Sequence, residues 1–247
     1  ASDVYKRQVW NPETDPHLWA NYSSQALEGK RENKRYLQRE LGLEVAPEVP
    51  LVGMVSRLVT EKGCDLVLEV LPEVLTEGVQ MVLLGTGEAS YQEALGELAK
   101  KFPGRFAARL AFDEGLAHRI EAGADIFLMP SRVEPCGLNQ LYSLRYGTVP
   151  VVRRTGGLAD TITDYSPEAL APGQANGFVF GPAQPEALAE ALGRALELYR
   201  NDPDSWRRLQ QVGMRQDWSW SRSAGEYQAL YRKVAELGRA RASRGGP

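Results

Sequence analysis

Asp125-Ile-Phe-Leu-Met-Pro-Ser-Arg-Val-Glu-Pro-Cys-Gly-Leu-Asn-Gln140 is the stretch that decides the fold. Asp125–Met129 is a short apolar run of the kind that forms a buried strand. It runs into a helix expected to open at Cys136-Gly137-Leu138. The start of a helix offers free backbone N–H groups and the positive end of its dipole, so it is a ready anion site. Pro135 preorganises the approach, and Gly137 lets a ligand come close to the backbone. Glu134 beside such a site is awkward if the ligand is only an anion. It makes sense if a phosphate is joined to a neutral sugar, with the helix start on the phosphate and Glu134 on the sugar hydroxyls. The plainer alternative is an acid in the first helical turn, where the dipole welcomes it.

Outward from this stretch the chain alternates between strand and helix. Apolar runs mark strands at Leu51–Ser56, Val79–Leu84, Phe106–Phe112, Asp125–Met129, Val149–Arg153 and Gly177–Phe180. Helical spacing marks Cys64–Thr76, Tyr91–Lys101, Leu116–Ala122, Gly137–Tyr146, Leu158–Thr163, 185–199, about 203–214 and about 221–238. Residues 21–42 read as a surface helix whose thin apolar stripe is Leu27, Tyr36, Leu37 and Leu41. Strands this apolar argue an α/β fold: a doubly wound parallel sheet covered on both faces, with helices at the C-terminal end. Glycine-rich turns after the strands put a ligand site at the sheet's carboxyl edge. The helices after about 203 have no strands between them and read as an appendage. The leader 1–8 shows no periodicity and is set aside as non-native or disordered. Residues 9–238 are taken as one domain, and 239–247 as a flexible tail.

Composition excludes several classes. A net charge of −3 gives no basic surplus for nucleic acid. No apolar run is long enough for a membrane span, and no secretory signal pattern is seen. Cys64 and Cys136 form no CxxC pair, which fits a reducing cytoplasm. With only His17 and His118, and no ligand-spaced cluster, no metal and no cofactor is expected.

Other strand ends carry candidates too. Arg57 leaves the first strand, and Lys62 follows five residues on, just before a helix, so both cations can reach one point; as a bare pattern they read equally as loop charges. Gly85-Thr-Gly87 reads as a tight turn into a helix. Arg153-Arg154 before Gly156-Gly157 reads either as a second anion site or as surface ion pairs. Phe112 and His118 flank a strand end and a short helix: an aromatic there can stack on a base, and His118 is as readily structural as catalytic.

The motifs Trp10-Asn-Pro-Glu-Thr-Asp15, Ser56-Arg-Leu58 with Glu61-Lys-Gly63, Ala122-Gly-Ala-Asp125, Met129-Pro-Ser-Arg132, Glu134-Pro-Cys-Gly-Leu138 and Arg153-Arg-Thr-Gly-Gly-Leu-Ala-Asp160 occur in this order. Together they resemble the C-terminal half of the bacterial glycogen synthase and plant starch synthase family, from about Val9 to about Val234. The resemblance implies the GT-B architecture, two Rossmann-like domains around a cleft, of which this chain would be the nucleotide-sugar domain. It implies a hexosyltransferase that moves glucose from ADP-glucose to the non-reducing end of an α-1,4-glucan with retention, and a partner N-terminal domain that this chain lacks.

Residue by residue, the resemblance makes Arg57 and Lys62 the diphosphate pair and Glu134 the carboxylate that holds the sugar, the three being the catalytic set. Gly137 and Leu138 would donate to the distal phosphate, with Cys136 and Asn139 beside them, and Phe112 would stand on the adenine side. Asn139 replaces a common Thr, and Tyr142 stands where related transferases with a Glu-x7-Glu pattern place a ribose-binding Glu. Two other readings stay open: a GT-B transferase for a UDP- or GDP-sugar, and a non-catalytic module whose stripe Tyr227, Leu230, Tyr231 and Val234 drives dimerisation.

Overall fold

The computed structural model describes residues 10–218, 224–225 and 227–236. The leader 1–8 and the tail 239–247 lie outside the described residues. The chain divides into a main unit, Trp10–Gln216, and a unit made of the chain ends. In the latter, residues 227–236 are helical, and Tyr227, Leu230, Tyr231 and Val234 are each more than half exposed.

The main unit opens with α1 (Glu28–Glu40), β1 (Leu51–Val55), α2 (Cys64–Thr76) and β2 (Gln80–Leu84). It continues with α3 (Ala89–Lys101), β3 (Phe106–Arg109), α4 (Glu114–Gly123) and β4 (Ile126–Met129). Then come α5 (Asn139–Tyr146), β5 (Val149–Arg153), α6 (Gly156–Thr161), α7 (Pro167–Leu170) and β6 (Phe178–Phe180). Two helices close it, α8 (Pro185–Asn201) and α9 (Pro203–Arg215). The six strands form one sheet in the order β3-β2-β1-β4-β5-β6, every neighbouring pair parallel. The order reverses between β1 and β4. Chains leaving those two strands diverge and open a crevice at their carboxyl ends, where ligands of such sheets bind.

Alternation along the strands builds a core on each face. Val52, Met54, Met81, Leu83, Ile126, Leu128, Val151 and Phe178 face α2 and α8 on one side. Leu51, Val82, Leu84, Phe127, Met129, Val152 and Val179 face α4 and α5 on the other. Each large side chain buried this completely contributes about 1.5–3 kcal/mol. Among the described residues no helix is long and apolar enough to cross a membrane.

Four expectations are corrected. The third strand stops at Arg109, because β3 is an edge strand and its partner β2 ends at Leu84, opposite Arg109. Leu138 is the cap of α5, which starts at Asn139, because Gly137 sits at φ +70° and cannot continue a helical turn. Far from being an appendage, α9 buries Trp206, Leu209 and Met214.

The largest departure is α1. Tyr36 is exposed, and the face turned inward is Lys30, Asn33, Lys34, Leu37 and Gln38. Lys30 Nζ donates to Thr148 Oγ1 at 2.6 Å and to the carbonyls of Ala122 and Glu121 at 3.1 and 3.4 Å. Lys34 pairs with Asp125 at 2.6 Å and also reaches Pro47 O. Asp15 continues this layer, accepting from Tyr146 Oη at 2.5 Å and lying 2.7 Å from His118 Nδ1. Trp10 stacks between His118 and Tyr142, with ring centroids 3.5 and 4.3 Å away.

Burial pushes the Lys30 ammonium down to about 7, although Asp125 and Glu121 pull it back. Burial also pushes the Glu121 carboxyl well up, against the bond from Ser143 and the charge of Lys30. At Asp15 burial pushes the same way, but the bonds from His118, Tyr146 and the His17 amide outweigh it and hold the carboxyl below its ordinary value.

Candidate functional site

The site grows from the exits of β1 and β4. After β1 the chain stays beside the end of β2: Ser56 N donates to Leu84 O at 3.1 Å and Leu58 N to Thr86 O at 2.9 Å. This support leaves Arg57 exposed at the sheet's carboxyl edge. A single 3-10 turn, Thr60–Lys62, then turns Lys62 inward. From the other strand comes the loop Pro130–Leu138. Glu134, only 9% exposed, reaches back to Lys62, its Oε2 lying 2.5 Å from Nζ. The same oxygen accepts from Ser131 Oγ at 3.2 Å.

A cavity of about 210 Å³ lies between these exits, with Arg57, Lys62, Ser131, Glu134, Gly137, Leu138 and Asn139 in its wall. Leu138 caps α5 without a side-chain hydrogen bond. The first N–H groups of α5 therefore take no bond from their cap side chain, and they stand beside the cavity wall. Cations, a helix start and one carboxylate thus face a common space. That combination suits a ligand carrying both anionic oxygens and neutral hydroxyls.

Of the residues singled out from the sequence, six are brought together in this wall: Arg57, Lys62, Glu134, Gly137, Leu138 and Asn139. Asn139 has one amide proton committed to Val55 O at 2.9 Å, so its side chain ties the start of α5 to β1. Cys136 is exposed with a free thiol, and Phe112 is 91% exposed; neither lines the cavity. His118 is fully buried against Asp15, away from the wall. Gly85 and Gly87 lie against the carbonyls of Ser56 and Leu58, which a Cβ would meet at 1.9 and 2.1 Å, so they serve close packing of the two strand exits.

Arg153 follows neither of its expected readings. Its Nε donates to Ser131 O at 2.8 Å and its second nitrogen to Arg132 O. Ser131 itself was not singled out, and a serine after a strand carries no signal that it will hold a carboxylate. Gly157 N donates to Glu134 O at 3.0 Å, and a Cβ on Gly157 would lie 1.9 Å from Cys136 O. The glycine pair therefore lets α6 seat directly on the Glu134 loop. Among the described residues no cluster of His, Cys, Asp and Glu could hold a metal ion.

The family model described as glycosyl transferases group 1 matches residues 42–211, which takes in every strand and every wall residue. The chain belongs to this family. It is 56% identical over 227 residues to glycogen synthase of Anaeromyxobacter dehalogenans (strain 2CP-1), covering 92% of this chain and 46% of that protein. Against glycogen synthase 1 of Methylococcus capsulatus it is 53% identical over 226 residues, with coverage of 92% and 46%. Among solved structures, the catalytic domain of starch synthase IV from Arabidopsis thaliana, bound to ADP and acarbose, superposes with a TM-score of 0.85. It is 38% identical, and the match covers 92% of this chain and 47% of that one. The chain spans about half the length of the curated relatives it matches. As a group 1 glycosyl transferase domain it has the α/β fold expected for one half of a GT-B enzyme.

Proposed function

We infer that this chain is the donor-binding half of a retaining glycogen or starch synthase, a hexosyltransferase that takes glucose from ADP-glucose and adds it to the non-reducing end of an α-1,4-glucan. The observation that carries the reading is the Lys62–Glu134 pair at the switch point of the sheet, with Arg57 exposed beside it. In this reading Arg57, Lys62 and the backbone at Gly137 and Leu138 take the diphosphate, and Glu134 takes the sugar hydroxyls. ADP bound to the starch synthase IV neighbour supports the choice of base. Phe112, projecting at the same sheet edge, is assigned to the adenine side. The reading carries a cytoplasmic location with it.

The chemistry follows from the charges. The bond between the glucose C1 and the distal phosphate oxygen breaks, and the acceptor's 4-hydroxyl oxygen bonds to C1 from the same face. Its proton passes to the departing phosphate oxygen, giving ADP and a glucan one residue longer. Negative charge grows on the leaving diphosphate, and Arg57 and Lys62 are placed to offset it. The relatives are about twice as long, so the acceptor wall is assigned to the part of them that this chain does not cover. A single wall binds but does not orient two substrates, so binding without appreciable turnover is expected.

Calorimetric titration of the chain with ADP, UDP and GDP tests the reading. ADP should bind best, and Arg57→Ala should weaken it. If ADP does not bind at millimolar concentration, the assignment is wrong; preference for UDP or GDP would move the chain to another donor class.

A further inference from the structure

The loop that carries Glu134 leaves β4 after Met129, which is the last residue of that strand paired with β5, opposite Val152. Beyond this point the carbonyls of Ser131 and Arg132 have no ladder partner. Arg153, the next residue of β5, supplies one: its guanidinium donates to both successive carbonyls. A planar fork with fixed donors spans two adjacent peptide oxygens in a set geometry, which a flexible lysine ammonium does not impose. Ser131 links the two halves of the arrangement. Its carbonyl is held by Arg153 at 2.8 Å, and its hydroxyl donates to the Glu134 carboxylate at 3.2 Å. The opposite side of the loop is tied to the 3-10 turn, through Arg132 N to Glu61 O at 2.8 Å, and to the start of α2, through the Arg132–Asp65 ion pair. Arg153 itself is absent from the cavity wall.

We propose that Arg153 is a positioning residue for the sugar end of the donor, acting on Glu134 through Ser131. The proposal rests on the reading of Glu134 as the sugar-binding carboxylate. Phosphate binding should depend little on Arg153, because Arg57 is carried by the β1 exit beside β2, the Lys62 backbone by the 3-10 turn, and the start of α5 by the Asn139–Val55 bond.

The test is the ratio of dissociation constants for ADP and ADP-glucose, titrated into the chain. In the unaltered chain ADP-glucose should bind roughly tenfold more tightly, the worth of one hydrogen bond to a charged group. Arg153→Gln should bring that ratio close to one while the ADP constant stays within about twofold. Arg153→Lys, which keeps the charge but replaces the fixed fork by a flexible ammonium, should give an intermediate ratio and covers the case in which the Gln variant fails to fold. Adding Glu134→Gln to either variant should lower the ratio less than it does in the unaltered chain, because the two residues serve one contact. An unchanged ratio in the Lys and Gln variants overturns the proposal, as does equal weakening of ADP and ADP-glucose. Loss of the ratio in Arg153 variants but not in Glu134→Gln also overturns it. An unaltered chain that binds neither nucleotide removes the donor-binding reading, and the proposal with it.

Discussion

Two groups of charged residues lie on either side of α5, and their fates differ. At its start, Lys62 and Glu134 hold each other in a cavity wall, and Arg57 stands exposed beside them. Behind it, Lys30, Lys34, Asp15, His118 and Glu121 are buried, and their bonds run to carbonyls, hydroxyls and one another, several of them across 90 or more residues of sequence. Residue types are shared between the two places. What differs is whether a partner can be exchanged for a ligand. The rear layer is committed to protein groups, so it fixes α1 and the segment from Trp10 to Tyr22 onto α4 and α5. The front layer keeps partners that a phosphate or a sugar can replace.

This contrast can be broken most forcefully at Asp15. Asp15→Ala leaves His118 Nδ1 and Tyr146 Oη without their common acceptor inside the protein. Each buried donor left unsatisfied costs about 1–3 kcal/mol, and two are left here. For a chain of this size that is a fall in melting temperature of roughly 10 °C. ADP affinity at a temperature where the variant is folded should not change. Calorimetric melting followed by titration checks both; a parallel loss of ADP affinity would show that the two layers are not separate.

Arg57→Ala should give the opposite pattern. The residue is exposed, so the melting temperature should hold. ADP should lose about 2 kcal/mol, roughly thirtyfold in the dissociation constant, as expected for a charge-assisted phosphate contact. Unchanged affinity would remove Arg57 from the diphosphate site.

The same contrast explains what the sequence disclosed. Strands β1, β2, β4 and β5 were legible because strands buried on both faces are continuous apolar runs, and Arg57, Lys62 and Glu134 could be placed because each lies just past such a run. Pattern reading assumes that a buried helix face is apolar, which is why α1 looked superficial. Lys30 and Lys34 are interior only because Ala122, Thr148 and Asp125 happen to present acceptors there. Nothing local to residues 30–34 encodes that. The same holds for Arg153, whose partners lie 21 and 22 residues away on a neighbouring loop. The early end of β3 is likewise a property of its partner strand, not of Leu110 to Phe112.

A finer probe of the rear layer is proton linkage at Glu121. Its carboxyl is raised by burial, so between the unfolded value near 4.5 and the folded one the native chain binds the extra proton. The stability this adds is fully present below about pH 4.5 and is lost as pH rises through the folded value, at a slope of up to about 1.4 kcal/mol per pH unit. Lys30 acts with the other sign: its folded value of about 7 lies below the unfolded 10.5, so its contribution grows with pH between the two. Glu121→Gln keeps a group able to accept from Ser143 and abolishes the first effect; it also removes the charge that pulls the Lys30 value up, which acts in the same direction. The melting temperature of the variant, relative to the unaltered chain, should therefore climb as pH is raised from 5 to 9. A constant offset across that range would place Glu121 outside the titrating layer.

The smallest expected effect concerns the front layer and has the least obvious sign. Lys62 is held by Glu134 at 2.5 Å, so a diphosphate must share the ammonium with that carboxylate or draw it away. The carboxylate also repels the incoming anion. Glu134→Gln removes both penalties and keeps a side-chain oxygen for Ser131. ADP should accordingly bind the variant three- to fivefold more tightly, under about 1 kcal/mol. ADP-glucose should gain less or lose, because the variant gives up the carboxylate that accepts from the sugar hydroxyls. Raised salt should shrink the ADP gain, since part of it is charge repulsion across a partly open cavity. Titrations of both nucleotides at two ionic strengths measure all three quantities. Should Glu134→Gln weaken ADP, the carboxylate is needed to hold Lys62 in place for the phosphate, and the front layer would share the fixed character of the rear one.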